Sequence, residues 1–364
     1  FTGPSRVLDV EAESINVTSV TLKWVVNDSA AGTYTYRIEV TNDTFVKNVP
    51  SNEAKAEIKD LIPGTLYNFT VFAVAADKKT EGEGRLKVLY TRPSPVLDIE
   101  AESINVTSVT LKWVVNDSAA DTYTYRTEVV NDTFVKNVPS NEARAEITDL
   151  IPGTWYYFTV FAVAADKKTE GEGSLKTLYT RPSPVLDLEA ESINVTSVTL
   201  KWVVNDSAAD TYTYRTEVVN DTSDTPGKNV TSSEAKAEIT DLIPGTWYNF
   251  TVFAVAADNE TEGEGVSTDL YTRPSPVLDL EAESINVTSV TLKWVVNDSA
   301  ADTYTYRIEV VNDTSDTPVK NVTSNEAKAE ITDLIPGTWY NFTVFAVAAD
   351  KKTEGEGVSI DLST

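Results

Sequence analysis

The chain repeats itself. The phrase SINVTSVTLKWVVNDSAA begins at Ser14, Ser103, Ser192 and Ser284, and LIPGT begins at Leu61, Leu150, Leu242 and Leu334, so the period is 89, 89 and then 92 residues. Periods of roughly 20 to 50 residues belong to solenoids whose units cannot bury a core alone. A period near 90 with its own apolar patterning instead predicts a string of independent domains, here with boundaries 4–92, 93–181, 182–273 and 274–364. The longer period arises where Phe45-Val46-Lys47 of the first copy is replaced by Ser223 to Lys228 in the third and Ser315 to Lys320 in the fourth, and a loop is expected to absorb it.

Within a copy the apolar period is two. Val20, Leu22 and Trp24 alternate with Thr21 and Lys23, and the pattern returns at Tyr34, Tyr36, Ile38 and Val40 and at Tyr67, Phe69, Val71 and Ala73. Such alternation is a strand with one buried and one wet face. Asn-Asp-Ser, Asn-Asp-Thr, Pro-Gly and Glu-Gly-Glu-Gly clusters punctuate these runs, and no helical period of useful length appears. About seven short strands per copy read as an antiparallel β-sandwich, making the chain all-β.

Composition narrows the function. A net charge of −26 opposes any role in neutralising phosphates, so neither nucleic acid nor anionic lipid is an expected partner. The chain has no His and no Cys, which removes the commonest general base, the commonest metal ligand and the thiol nucleophile. No enzyme activity, cofactor or metal site is therefore expected. No apolar stretch nears the roughly 20 residues of a membrane helix, so no membrane insertion is expected in this segment. The absence of Met, at position 1 and elsewhere, leads us to expect a segment of a longer polypeptide. Lack of Cys leaves the extracellular space open, because a domain of about 90 residues can fold on its core alone.

Trp24 in the second strand, Tyr36-Arg37-Ile38-Glu39-Val40 in the third, and Leu61-Ile62-Pro63-Gly64-Thr65-Leu66-Tyr67 entering the sixth resemble fibronectin type III domains. The resemblance covers the whole chain and implies an immunoglobulin-like, seven-stranded antiparallel sandwich in each of four tandem copies. It also implies a tyrosine corner, in which Tyr67, Tyr156, Tyr248 and Tyr340 bond backbone where the Pro-Gly turn crosses between sheets. More narrowly, PSPVLDIEA, LIPGTLYNFTV and the YTRPSPV junctions are similar to the ectodomain repeats of density-enhanced, single-catalytic-domain receptor tyrosine phosphatases. That similarity implies a cell-surface receptor fragment. A phosphatase signature needs a Cys, so the catalytic domain is not in this chain.

The first two copies differ at few positions, among them Gly32 and Asp121, Ile38 and Thr127, Leu66 and Trp155, Asn68 and Tyr157. Neighbours this alike are prone to swap strands while folding. A recent duplication and an engineered array both account for the likeness.

Eighteen Asn-x-Ser/Thr sequons are candidate N-glycosylation sites: Asn16, Asn27, Asn42, Asn68, Asn105, Asn116, Asn131, Asn194, Asn205, Asn220, Asn229, Asn249, Asn259, Asn286, Asn297, Asn312, Asn321 and Asn341. Asn-Asp-Thr and Asn-Asp-Ser are also ordinary turn chemistry, and duplication copies the pattern. The sequons at Asn229 and Asn259, absent from the first copy, favour a secreted or cell-surface chain carrying N-linked glycans. Leu8-Asp9-Val10, with its counterparts Leu97-Asp98-Ile99 and Leu186-Asp187-Leu188, resembles a short integrin ligand but is expected to lie in the first strand, with Leu and Val alternating for packing. Glu81 and Glu83 could in principle do acid-base work or hold calcium. Their Gly-flanked hairpin reads instead as a solvated turn.

Each junction, beginning Arg92-Pro93-Ser94-Pro95 in the first case, carries two prolines and is expected to be short and stiff, setting the copies end to end in an extended rod. Small-angle scattering should then report a maximum dimension of roughly 100 to 140 Å from four domains built of strands rising about 3.3 Å per residue. A globular radius on the order of 21 Å would overturn the rod.

Two inward or outward readings carry most weight. The inward position of Ile38 and Ile308 is Thr127 and Thr216 in the middle copies, which are expected to melt first. On the outward face of the second copy's sixth strand, Trp155, Tyr157 and Phe161 form a candidate protein-binding strip. In the other copies the Tyr157 position is a sequon Asn: Asn68, Asn249 or Asn341. The expected function is an extracellular spacer and recognition segment of a receptor, partnered by an extracellular protein or by self-association. The alternative is a passive structural or engineered array without a cognate ligand, and a third reading is an accessory module of a secreted carbohydrate-active enzyme.

Overall fold

The computed structural model describes residues 3–220, 227–314 and 318–364. The first repeat contains β1 (Leu8–Ile15), β2 (Val20–Val25), β3 (Thr35–Asn42), β4 (Phe45–Ser51), β5 (Lys55–Ile58), β6 (Leu66–Val74) and β7 (Arg85–Tyr90). They form two antiparallel sheets, in the orders β1-β2-β5 and β4-β3-β6-β7, and both orders recur in the other three repeats. The helical elements among the described residues are three-residue 3-10 turns ahead of each third strand, such as Ala31–Thr33. The chain divides into two compact units, Phe1–Thr180 and Arg181–Thr364. The loop expected to absorb the longer period lies largely outside the described residues, at 221–226 and 315–317.

The period-two pattern becomes two facing layers. Val20, Leu22 and Trp24 of β2 meet Tyr36, Ile38 and Val40 of β3 and Tyr67, Phe69 and Val71 of β6 in one buried cluster. The Trp24 and Tyr36 rings pack edge-on at 5.2 Å, a geometry favoured by the aromatic quadrupole, and all four repeats keep this pair at 5.1–5.3 Å. Register follows the pattern: Ile38 opposes Val49 on β4 and Val71 on β6. A one-residue slip would turn every one of these side chains to water. Tyr34, read from the sequence as part of the third strand, sits one residue before it and closes the 3-10 turn instead.

The Pro-Gly turn works as the resemblance implies. Gly64 takes φ +57°, a left-handed conformation that a Cβ would strain, and the Tyr67 hydroxyl accepts a hydrogen bond from the Ile62 N–H at 2.9 Å. Ile151 with Tyr156, Ile243 with Tyr248 and Ile335 with Tyr340 repeat the bond.

The first-strand expectation needs one correction. Val10 is buried, but Leu8 is exposed, because Asp9 at φ +46° makes a bulge between Leu8 and Glu11 and breaks the alternation. Asp tolerates this left-handed position better than most residues.

Inside the unit Phe1–Thr180 the junction is tied on both sides. Gly64 N–H donates to the Arg92 carbonyl at 3.1 Å, and the Thr91 hydroxyl donates to the Ile62 carbonyl at 2.6 Å. Between the two prolines, Ser94 N–H donates to Asp117 Oδ2 at 2.8 Å, and the same oxygen accepts the Tyr123 hydroxyl at 2.8 Å. Burial, then the Asp117 carboxylate, raises the Tyr123 phenol well above its ordinary range. Tyr123 packs onto Gly64 so closely that a Cβ there would overlap its hydroxyl. Gly245, Arg273, Ser275, Asp298 and Tyr304 build the same junction inside the unit Arg181–Thr364.

Candidate protein-recognition surface

The sheet β4-β3-β6-β7 turns one face to the core and the other outward, and every repeat builds its outward face around an arginine from the third strand. In the first repeat the Arg37 guanidinium lies 4.2 Å over the Phe72 ring, donates from Nε and Nη2 to both oxygens of Glu81 at 2.7 Å, and donates from Nη1 to Asn48 at 2.8 Å. A planar fork suits this combination of stacking and bidentate pairing. Arg126, Arg215 and Arg307 repeat the stacking and the carboxylate pair with Glu170, Glu262 and Glu354. Hydrogen bonding to Arg37 holds the Glu81 carboxyl below the usual carboxylate range. Glu81 is therefore no free charge on a solvated turn. The hairpin is strapped across the sheet, and a Cβ at Gly84 would collide with the Phe72 ring. Among the described residues no group of three or more acidic side chains could hold a metal ion.

In the second repeat the sixth strand, Trp155–Val163, carries the candidate strip. Tyr156, Phe158 and Val160 are buried, while Trp155, Thr159 and Phe161 are partly exposed and Tyr157 is 45% exposed. Trp155 tilts against Tyr179 of the neighbouring strand at 5.0 Å and meets the Tyr157 ring edge-on at 6.1 Å. Phe161 lies beneath the Arg126 guanidinium at 4.1 Å, as its equivalents do in the other repeats. Tyr157 pairs across the sheet with Val130 on one side and Thr177 on the other, and Val135 and Leu175 extend the apolar surface as exposed side chains.

None of the eighteen sequon asparagines is buried. Their placement is uneven on this sheet. The third and fourth repeats each carry two on the outward face, Asn229 with Asn249 and Asn321 with Asn341, and the first carries Asn68. The second repeat carries neither kind: Tyr157 replaces one, and Asn137 is followed by Val138-Pro139 and is no sequon. Polar pairs flank this position in the later repeats, where Trp247 Nε1 donates to Asp269 at 3.0 Å and Asn341 donates to Asp361 at 2.8 Å, while Trp339 of the fourth repeat is 56% exposed. The Arg126–Phe161–Glu170 arrangement was not legible in the sequence, since its partners lie 35 and 44 positions from Arg126 and meet only through strand register.

Three- and four-stranded antiparallel sheets, a Trp–Tyr core pair and a tyrosine corner in each repeat define a tandem array of immunoglobulin-like β-sandwich modules. The fibronectin type III domain model matches residues 4–85, 93–176, 182–269 and 274–360, and the chain belongs to the fibronectin type III family. It is 58% identical over 364 residues to receptor-type tyrosine-protein phosphatase eta of Gallus gallus, covering 100% of this chain and 26% of that protein. It is 32% identical over 353 residues to the Homo sapiens protein of the same name, covering 96% of this chain and 25% of that one. The chain thus spans about a quarter of the length of these relatives. Among solved structures, a two fibronectin type III domain segment from chicken tenascin is 23% identical with a TM-score of 0.35, over 50% of this chain and 99% of that one. The family match and the two phosphatase relatives make the chain an extracellular segment with the role of a cell-surface receptor ectodomain, built from a non-catalytic fold. Among the described residues no helix is long and apolar enough to cross a membrane.

Proposed function

We propose that this ectodomain segment is both spacer and recognition element of a receptor-type tyrosine phosphatase, and that the outward face around Trp155 and Tyr157 binds an extracellular protein. The observation that supports this reading is the cluster of exposed Tyr157 with half-buried Trp155 and Tyr179 on a sheet face without a sequon, where the equivalent faces of the other repeats have one or two. Aromatic side chains concentrate binding energy at protein interfaces, and Phe161 beneath Arg126 forms the rim. The net charge of −26 disfavours a second copy as the occupant and favours a partner with basic residues around an apolar centre.

The substitution Tyr157→Asn, ahead of the existing Phe158 and Thr159, restores the Asn-Phe-Thr sequon of the other repeats. Expressed in a secretory host and confirmed as glycosylated by intact mass, the variant should lose at least tenfold in cell-surface binding, about 1.4 kcal/mol or more. A glycosylated, normally folded variant that binds as the parent does would leave the segment a spacer only. Loss of self-association in place of heterologous binding would assign the face to a second copy.

A further inference from the structure

The fourth strand is an edge. Among the described residues it pairs, in each repeat, with the third strand alone, so its other side presents unpaired backbone groups. Edge strands invite pairing with other chains, and an array of nearly identical repeats supplies matching strands at high local concentration. A lysine is one common guard. Here it is diverted: Lys47 donates to the Lys59 carbonyl at 3.1 Å, Lys228 to the Thr240 carbonyl at 3.1 Å and Lys320 to the Thr332 carbonyl at 2.8 Å.

The first two repeats use proline. Pro50 opposes Arg37 and Pro139 opposes Arg126 in the ladder, positions a proline can hold only with its nitrogen turned to the free side. At the same register the later repeats have Thr231 opposite Arg215 and Thr323 opposite Arg307. Each of these threonines has an N–H that faces the free edge, and both are exposed. The same exchange turns Asn48-Val-Pro and Asn137-Val-Pro into Asn229-Val-Thr and Asn321-Val-Thr. One substitution thus removes the proline guard and creates a sequon two residues away on the same strand. Asn229 and Asn321 are both exposed, and the Asn229 side-chain Oδ1 accepts from Arg215 Nη1 at 3.1 Å, a bond that does not use Nδ2.

We propose that Asn229 and Asn321 carry N-linked glycans that guard the edge strand which proline guards in the first two repeats. In the transfer, Asn Nδ2 forms a bond to the anomeric carbon of an oligosaccharide. The bond from that carbon to the diphosphate of a lipid-linked donor breaks, the lipid diphosphate leaves, and the amide gives up one proton. The bulky, hydrated sugar then excludes an incoming strand from the edge.

Three forms of the full chain, secreted from the same host, test this: the parent, Asn229→Gln with Asn321→Gln, and Thr231→Pro with Thr323→Pro. Peptide mapping should find both asparagines glycosylated in the parent and unmodified in both variants. By light scattering the Gln variant should contain several-fold more oligomer than the parent at equal concentration, while the Pro variant should remain as monomeric as the parent. Circular dichroism identifies any variant that fails to fold, and Pro50→Thr then serves as the reciprocal form, expected to gain a glycan at Asn48 and stay monomeric. Unmodified Asn229 and Asn321 in the parent would overturn the proposal. So would a folded Gln variant that stays monomeric, or a folded Pro variant that associates as the Gln variant does.

Discussion

Thr127→Ile is expected to stabilise the second sandwich by about 1–3 kcal/mol, the cost of burying a hydroxyl without a partner. Thr127 is 0% exposed, and its Oγ1 is buried with no hydrogen-bond partner. It faces Val138 and Val160 across the ladder, as Ile38 faces Val49 and Val71 in the first repeat, where the aliphatic side chain is also fully buried. The cavity that holds Ile38 is therefore already lined by the same residue types around Thr127, and overpacking should not offset the gain. For a domain of this size the change corresponds to roughly 4 to 8 °C per kcal/mol in melting midpoint. Thr216 is equally buried and equally unpartnered, so Thr216→Ile should raise a second transition in the third repeat. Calorimetry of the whole chain, with each substitution assigning its own transition, checks both. The explanation fails if neither midpoint moves and Ile38→Thr leaves the first repeat unchanged.

Gly64→Ala should cost more than the same change at Gly337, and the excess measures the junction. Both glycines lie in the left-handed region, at φ +57° and +68°, which costs an L-residue about 1–2 kcal/mol. At Gly337 the added methyl meets nothing within 4 Å. At Gly64 it must displace the Tyr123 hydroxyl, which is buried and bonded to Asp117, the same carboxylate that fixes Ser94 of the linker. Disturbing a buried, charge-assisted hydrogen bond adds roughly 1.5–3 kcal/mol. Hydrogen exchange at the Ser94 amide is the direct readout: it should accelerate at least tenfold in Gly64→Ala and remain at the parent rate in Gly337→Ala. Equal exchange in the two variants would mean that Tyr123 does not hold the junction.

The sequence by itself determined the repeat, the strands and, wherever the strands run without a bulge, the side their residues face. Period two is a local property of an extended chain, so the alternation in Val20, Leu22 and Trp24 was enough to place all three in the core. The inward placement of Thr127 and the outward placement of Tyr157 followed from the same parity. The corner tyrosine was legible through the resemblance to fibronectin type III domains, and its hydroxyl partner proves to be the N–H of Ile62, five residues away.

What tertiary structure alone decided are the partners that meet through register or across a junction. Glu81 belongs to Arg37 from 44 positions away, so an apparently free acidic hairpin is a strap. Asp9 adopts a left-handed bulge that turns Leu8 outward against the strand's own alternation. Tyr123 reaches back to the turn glycine of the preceding repeat, and Pro50 and Thr231 prove to occupy equivalent edge positions because each opposes the third-strand arginine of its own repeat, Arg37 and Arg215. Periodicity encodes how much of a side chain is buried, since burial depends on which way the strand faces. It does not encode what the side chain touches, since that is fixed only when distant strands pair and neighbouring domains close on one another.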